Sequence, residues 1–310
     1  MFISRRRFAA LAATVAAGLT LASGVSQAVS TGSTESTRST GTSEAAAVTD
    51  GPLHVMSYNL RYASNTPPNT WADRRPVMRE QLREARPQLI GTQEGLYSQL
   101  QDIAADLGPA YDSIGLGRES GSKGEFMMIF FDQRRLQPLE YDHFWLSDTP
   151  AVMGSKTWGG CCARMVTWVR FLDKTTSKQF YAVNTHLEAF DATARSKSAD
   201  LILQKVAAFD PTVPVIMTGD FNEAAKAGVP VYDKLVTSGK YTDSWVTAEE
   251  RSALYATFHG YKPLTPNGNR IDWILTTPGL RVEKASINTF SKDGQFPSDH
   301  LPVESWIHLG

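Results

Sequence analysis

The stretch RMVTWVRFLDKTTSKQFYAVNT, residues 164–185, decides the architecture. Two runs rich in Val, Thr, Trp, Phe and Tyr, 164–172 and 180–185, flank a polar turn over 174–178, so the segment predicts an antiparallel β-hairpin. On both sides of it the chain alternates strands and helices. Upstream lie strand 54–59, helix 73–85 with Leu82 turned inward, strand 88–93, helix 97–107 stopped by Gly108-Pro109, and strand 125–131. Downstream come a helix over 193–209, with Ala199, Ile202, Leu203 and Val206 at helical spacing, and strands 213–218, 270–276, 281–290 and 302–307. Alternation alone would suit a doubly wound parallel sheet; an antiparallel hairpin in its midst does not. The pattern predicts an α/β fold of two mixed β-sheets packed face to face with helices outside.

The amino end reads differently. Residues 1–28 carry Arg5, Arg6 and Arg7, an apolar run from Phe8 to Val25, and the small-residue ending Ser26-Gln27-Ala28, which together predict a cleavable signal peptide. Ser4-Arg5-Arg6-Arg7-Phe8 fits the twin-arginine pattern, whose passengers cross the membrane folded. The apolar run is shorter than the roughly 20 residues a span needs. Residues 29–50, rich in Ser, Thr, Gly, Glu and Ala, predict a disordered leader, because nothing in them offsets the entropy of ordering. Residues 51–310 are enough for one large core and predict a single domain.

The chain holds 31 Lys plus Arg against 32 Asp plus Glu. Removing the three signal arginines leaves 28 against 32, about −4 for the exported form. Proteins that live on polynucleotide backbones usually show a basic excess. This balance favours a small phosphate ester or a lipid head group, with nucleic acid as the other option. Nothing implies a stable protein partner, and a monomer is expected. The two cysteines, Cys161 and Cys162, are adjacent, and two free buried thiols are expected because neighbours rarely bridge each other. No further Cys or His stands at zinc-site spacing.

Chemistry concentrates in short polar stretches hard against apolar runs: Tyr58-Asn59, Gln93-Glu94, Gly219-Asp220-Phe221-Asn222 and Ser298-Asp299-His300. Asp220 and Asn222 are two apart, so in extended backbone both face one pocket, although Gly, Asp and Asn are also turn residues. His186 closes the strand that ends in Asn184-Thr185. Asp272 is set inside the apolar strand 270–276; its partner is either a histidine ring N–H such as that of His300, or neighbouring Arg270. Oxygen ligands near a hard cation, with a histidine, suit attack of water on phosphorus.

Together with Asn184-Thr185-His186-Leu187 and Arg270-Ile271-Asp272, in this order, these stretches resemble the endonuclease/exonuclease/phosphatase superfamily, the DNase I-like four-layer α/β sandwich. The resemblance covers 51–309. It implies that Glu94 is the principal magnesium ligand, manganese or calcium being alternatives, with Asn59 and Asp299 close to the metal. It implies that Asp220 positions the attacking water, Asn222 binds a phosphate oxygen, and His300 is oriented by Asp272. His186 then contacts phosphate and helps the leaving group depart. Arg118, in the glycine-rich loop 115–125, and Arg164 are the candidate phosphate-binding arginines; a plain Arg118–Glu125 ion pair is the other reading. Gly-Arg…Gly-Glu and Trp145-Leu146-Ser147 resemble a bacterial branch, while the tyrosine that other members bring to the phosphate has no clear counterpart. The implied activity is divalent-metal-dependent hydrolysis of a phosphodiester or phosphomonoester by in-line attack of activated water. The alternatives are an extracellular DNA or RNA nuclease and a non-catalytic binding module. For the aromatics Trp71, Trp158, Phe190, Phe258, His259 and Tyr261, core or loop packing is the commoner fate of each, and Trp71 is the best placed to meet substrate.

Overall fold

The computed structural model describes residues 51–310 and the two-residue strand β1 (Arg6–Arg7); the signal and leader expected over 1–50 otherwise lie outside the described residues. One sheet runs β11 (Glu250–Arg251), β13 (Arg281–Ile287), β14 (Val303–His308), β2 (Leu53–Asn59), β3 (Leu89–Gly95), β5 (Phe126–Asp132) and β4 (Tyr111–Ile114). The other runs β1, β6 (Leu136–Trp145), β7 (Met165–Asp173), β8 (Lys178–His186), β9 (Val215–Asp220), β12 (Asp272–Thr276) and β10 (Thr242–Asp243).

Near the middle of each sheet two parallel strands are joined by a helix: β2 and β3 by α1 (Trp71–Ala85), β8 and β9 by α3 (Ala192–Val206). The hairpin read from 164–185 is β7–β8, paired antiparallel from Val166↔Thr185 to Asp173↔Lys178. With β6–β7 and β9–β12 it makes the sheet antiparallel on both sides of the parallel pair β8–β9, which is why the fold is mixed rather than doubly wound.

Strand alternation sorts the layers. Leu53 and Val55 of β2, Phe180 and Ala182 of β8, and Ile216 of β9 enter one core between the sheets. Their neighbours face outward: Met56 and Tyr58 pack with Leu82 of α1 and Leu100 and Ile103 of α2 (Tyr97–Leu107), while Tyr181, Val183 and Met217 pack with Ala199 and Ile202 of α3. Helix, sheet, sheet, helix is therefore the layer order, as a period of two dictates once each sheet is covered on both faces.

Helix starts follow their caps. Thr70 accepts from Asp73 N at 3.2 Å and its own N–H reaches Asp73 Oδ2, so α1 opens at Trp71, two residues before the expected start. Strand β6 escaped the sequence reading because Pro138 and a register shift between Pro138 and Glu140 interrupt its pattern; β7 nevertheless pairs along it. Trp71, the aromatic best placed to meet substrate, takes the commoner fate of core packing and lies beneath α1, with its ring N–H on Asp102 Oδ2 at 2.8 Å. The first turn of a capped helix points its apolar residue inward.

Candidate active site

The inner faces of the strands change character along their length. On β8 the series is Phe180, Ala182, Asn184, His186; on β9 it is Ile216, Thr218, Asp220; on β2 it is Leu53, Val55, Ser57, Asn59. The apolar core thus becomes a buried polar layer and then the site. In the layer Gln93 Nε2 donates to Asn184 Oδ1 at 2.8 Å, Thr218 Oγ1 to the same oxygen at 3.1 Å, and Asn184 Nδ2 to the Thr92 carbonyl at 2.8 Å. Gly91 is required there, since a Cβ would overlap Thr218 Oγ1 and Asn184 Oδ1.

Above that layer, register brings Asp220 opposite His186 on one side and Asp272 on the other. Glu94 has the parity of the outward residues Ile90 and Thr92. A bulge between Thr92 and Gly95, with Glu94 at φ 64°, turns its carboxylate to the cleft instead. There Asn59 Nδ2 donates to Glu94 Oε1 at 2.9 Å and to Asp220 Oδ2 at 3.0 Å. Ser298 Oγ ties the His300 loop to the Asn59 carbonyl at 2.7 Å, and His300 N donates back to Ser298 Oγ at 3.2 Å.

The two histidines flank Asp220. His300 Nε2 is 3.9 Å and His186 Nε2 3.5 Å from Asp220 Oδ2. His300 Nδ1 pairs with Asp272 Oδ2 at 2.9 Å, whereas Arg270 is engaged with Asp243 at 2.6 Å; of the two partners considered for Asp272, the histidine is the one present. Their environments drive the rings apart. Burial works against charge on His300, but the Asp272 carboxylate outweighs it, helped by Asp220 and Asp299, and lifts the imidazole to about 10. Burial, then the charges of Arg164, Arg118 and His300, hold His186 well below the ordinary value. Asn222 Nδ2 donates to His186 Nε2 at 3.0 Å, which places the proton of the neutral ring on Nδ1. Burial, then the charge of Asp272, lifts Asp220 to about 7. Asn222, at φ 50°, also donates its N–H to Asp220 Oδ1 at 2.9 Å, so the turn and the pocket readings of this pair are both realised.

Eight of the ten sequence-derived residues line one cleft: Glu94, Arg118, Arg164, His186, Asp220, Asn222, Asp299 and His300. Asn59 and Asp272 stand behind it, holding Asp220 and His300. Donor atoms of Glu94, Asp220 and His300 all lie within 4.8 Å of one another, a group suited to a divalent cation. Of the other two residues expected near metal, Asn59 Oδ1 accepts from Arg61 N at 2.9 Å and Asp299 Oδ2 accepts from the Arg61 guanidinium at 3.0 Å. Arg61 and Tyr62 were missed by sequence reading; they follow the β2 motif with no pattern of their own, and only the return of the Asp299 loop gives Arg61 a partner.

Each guanidinium at the cleft has a carboxylate: Arg61 has Asp299, Arg118 has Glu125 at 2.7 Å, and Arg164 has Glu188 at 3.3 Å. The cysteines correct an expectation. Cys161 and Cys162 are bonded to each other, lie at the surface rather than in the core, and line the cleft. Gly159 and Gly160, both at positive φ, lead this loop along Glu188 rather than into a strand, which leaves the two sulfurs no apolar site to fill.

A profile of the Endonuclease/Exonuclease/phosphatase family matches residues 56–300. A structure described as a member of that family, from Bacteroides thetaiotaomicron, is 34% identical, with TM-score 0.77, covering 82% of this chain and 97% of its own. The mannosyl-6-phosphatase of Bacteroides thetaiotaomicron is 33% identical with TM-score 0.77, covering 83% and 99%, and a family protein of Bacteroides vulgatus is 31% identical with TM-score 0.78, covering 83% and 99%. Human Nocturnin, 19% identical with TM-score 0.64, shares the fold. A search of curated proteins gives no significant match. With the family profile matching residues 56–300 and a family structure 34% identical over 82% of this chain, the chain belongs to the endonuclease/exonuclease/phosphatase family.

Proposed function

We propose that this chain is an exported, magnesium-dependent phosphoesterase that hydrolyses a small phosphate ester by in-line attack of water. The observation that carries the proposal is the convergence of Glu94, Asp220 and His300 at the floor of a cleft of about 330 Å³, between two histidines of opposite charge state. A cation bound there would neutralise charge developing on the phosphoryl oxygens. Two carboxylates, with the remaining positions left to water, are what magnesium favours, and the protonated His300 ring stands beside such a cation rather than on it.

The chain's own groups divide the remaining work. Asp220, buried and fixed by Asn59 and Asn222, holds and orients the water. His300, kept protonated by Asp272, faces the reacting oxygens as the group able to give up a proton. His186 is neutral, so its part is to bind phosphate beside Asn222, Arg118 and Arg164 rather than to protonate the leaving oxygen.

Two features favour a small ester over a polymer. The exported chain has no basic excess, and the cleft has the volume of a small-molecule site. The similarity to a mannosyl-6-phosphatase supports a phosphomonoester. The test is hydrolysis of a hexose 6-phosphate, a lipid head-group diester, RNA and plasmid, each with magnesium and after chelation. Fastest turnover is expected on the monoester, and Glu94→Gln should abolish both turnover and calorimetric magnesium binding. Undiminished hydrolysis after chelation would remove the metal mechanism; fastest turnover on a polynucleotide, falling steeply with salt, would make the protein a nuclease.

Export by the twin-arginine route rests on Ser4–Phe8. Replacing Arg5 and Arg6 by Lys should strand the precursor in the cell, and normal secretion of that variant would assign the general route.

A further inference from the structure

Seven large apolar side chains are exposed among the described residues, and three of them are rings lining the same cleft: Phe190 at 84%, Phe258 at 50% and Tyr62 at 43%. Single exposed apolar residues need no explanation; three rings around one charged cleft do. Core packing accounts for none of them, while each is tied to the site through its backbone or ring. Tyr62 N donates to Glu94 Oε2 at 3.2 Å. Phe258 is bridged to His300, with ring centroids 5.0 Å apart. Phe190 N donates to Glu188 Oε1 at 3.1 Å, the carboxylate that also holds Arg164. The rings are therefore held in position and left bare above the Glu94–Asp220–His300 group.

The rest of the lining says what they face. Glu94, Glu125 and Asp299 line it together with Arg61, Arg118 and Arg164. An acyl chain would strip water from those charges without offering them a hydrogen bond, and a polynucleotide would carry its own negative charge past the carboxylates. A sugar ring satisfies both demands. Its C–H face covers an aromatic ring, and its hydroxyls donate to carboxylates and accept from guanidiniums.

We infer that Phe190 is a specificity-determining residue which, with Phe258 and Tyr62, receives the sugar ring of the leaving group while the ester phosphate lies at the cleft floor. This rests on the phosphoesterase reading above. Phe190 suits the test, since it is the most exposed of the three rings and touches none of the groups assigned to the reaction.

The experiment compares the parent protein with Phe190→Ala and Phe190→Trp, in magnesium, on a hexose 6-phosphate and on ring-free glycerol 3-phosphate. Phe190→Ala should lose about 10-fold in kcat/KM on the hexose ester, chiefly through KM, and nothing on the glycerol ester. Phe190→Trp should keep most of the parent value on both. Equal losses on the two esters, or no loss on the hexose ester, would overturn the assignment while leaving the phosphoesterase reading intact. A parent protein that hydrolyses neither ester overturns that reading and the assignment with it.

Discussion

Replacing Asp272 by Asn tests the electrostatic logic of the site with almost no change of shape. Asp272 is buried at the end of β12 and holds His300 Nδ1 at 2.9 Å. In the metal-free protein His300 stands at about 10 against an ordinary 6.5, with Asp272 as the main cause opposing burial. That gap corresponds to about 5 kcal/mol of preference for the charged ring. The folded value is raised, so the stabilisation is complete below pH 6.5, falls to about 2–3 kcal/mol at pH 8, and is lost as the pH passes about 10. Asp272 also raises Asp220, after burial, so its removal relieves some repulsion above the Asp220 unfolded value. The net loss expected for Asp272→Asn is about 3 kcal/mol at pH 6, comparable to breaking one side of a buried pair, and under about 1 kcal/mol at pH 10. Urea unfolding of the metal-free proteins at pH 6, 8 and 10 reads the difference, and NMR titration of His300 reads its cause. A parent–variant gap that does not shrink between pH 6 and pH 10, or a His300 that titrates near 6.5 in the parent, would refute the reasoning.

Gly91→Ala should cost about 3 kcal/mol and lower Tm by roughly 6–10 °C, because the new methyl overlaps Thr218 and Asn184 in the buried polar layer; scanning calorimetry checks this, and an unchanged Tm would mean that the sheets can part. Replacing Cys161 and Cys162 together by Ser should change the unfolding free energy read from urea titration by less than about 1 kcal/mol, since a bond between sequence neighbours closes almost no loop; a larger drop would give the bond a structural role. His300→Gln should harm hydrolysis of an alkyl phosphate far more than of a nitrophenyl phosphate, whose leaving group departs unprotonated, whereas His186→Gln should harm both alike. The reverse pattern would return the proton-donating role to His186.

What the sequence determined by itself was whatever is encoded within one element. The runs 164–172 and 180–185 announce a hairpin because β-branched and aromatic residues fill both arms, and β7–β8 forms there. His186, Asp220 and Asn59 could be placed at strand ends because each terminates an apolar run, and the period of two then carries all three to the inner face. The same rule fails at Glu94, where parity points outward and only the mismatch between β3 and β5 turns the carboxylate round. Local pattern could not choose between Arg270 and His300 for Asp272, because the choice depended on Asp243 taking Arg270 from another strand. The Arg118–Glu125 pair was open to it, because both residues sit in one loop, but the pairs Arg61–Asp299 and Arg164–Glu188 were not, because they join distant segments. The opposite charge states of His186 and His300 belong to the tertiary structure as well. Burial pushes both rings toward neutrality, and what separates them is which distant charges the packing sets beside each: Arg164 and Arg118 at His186, Asp272 at His300.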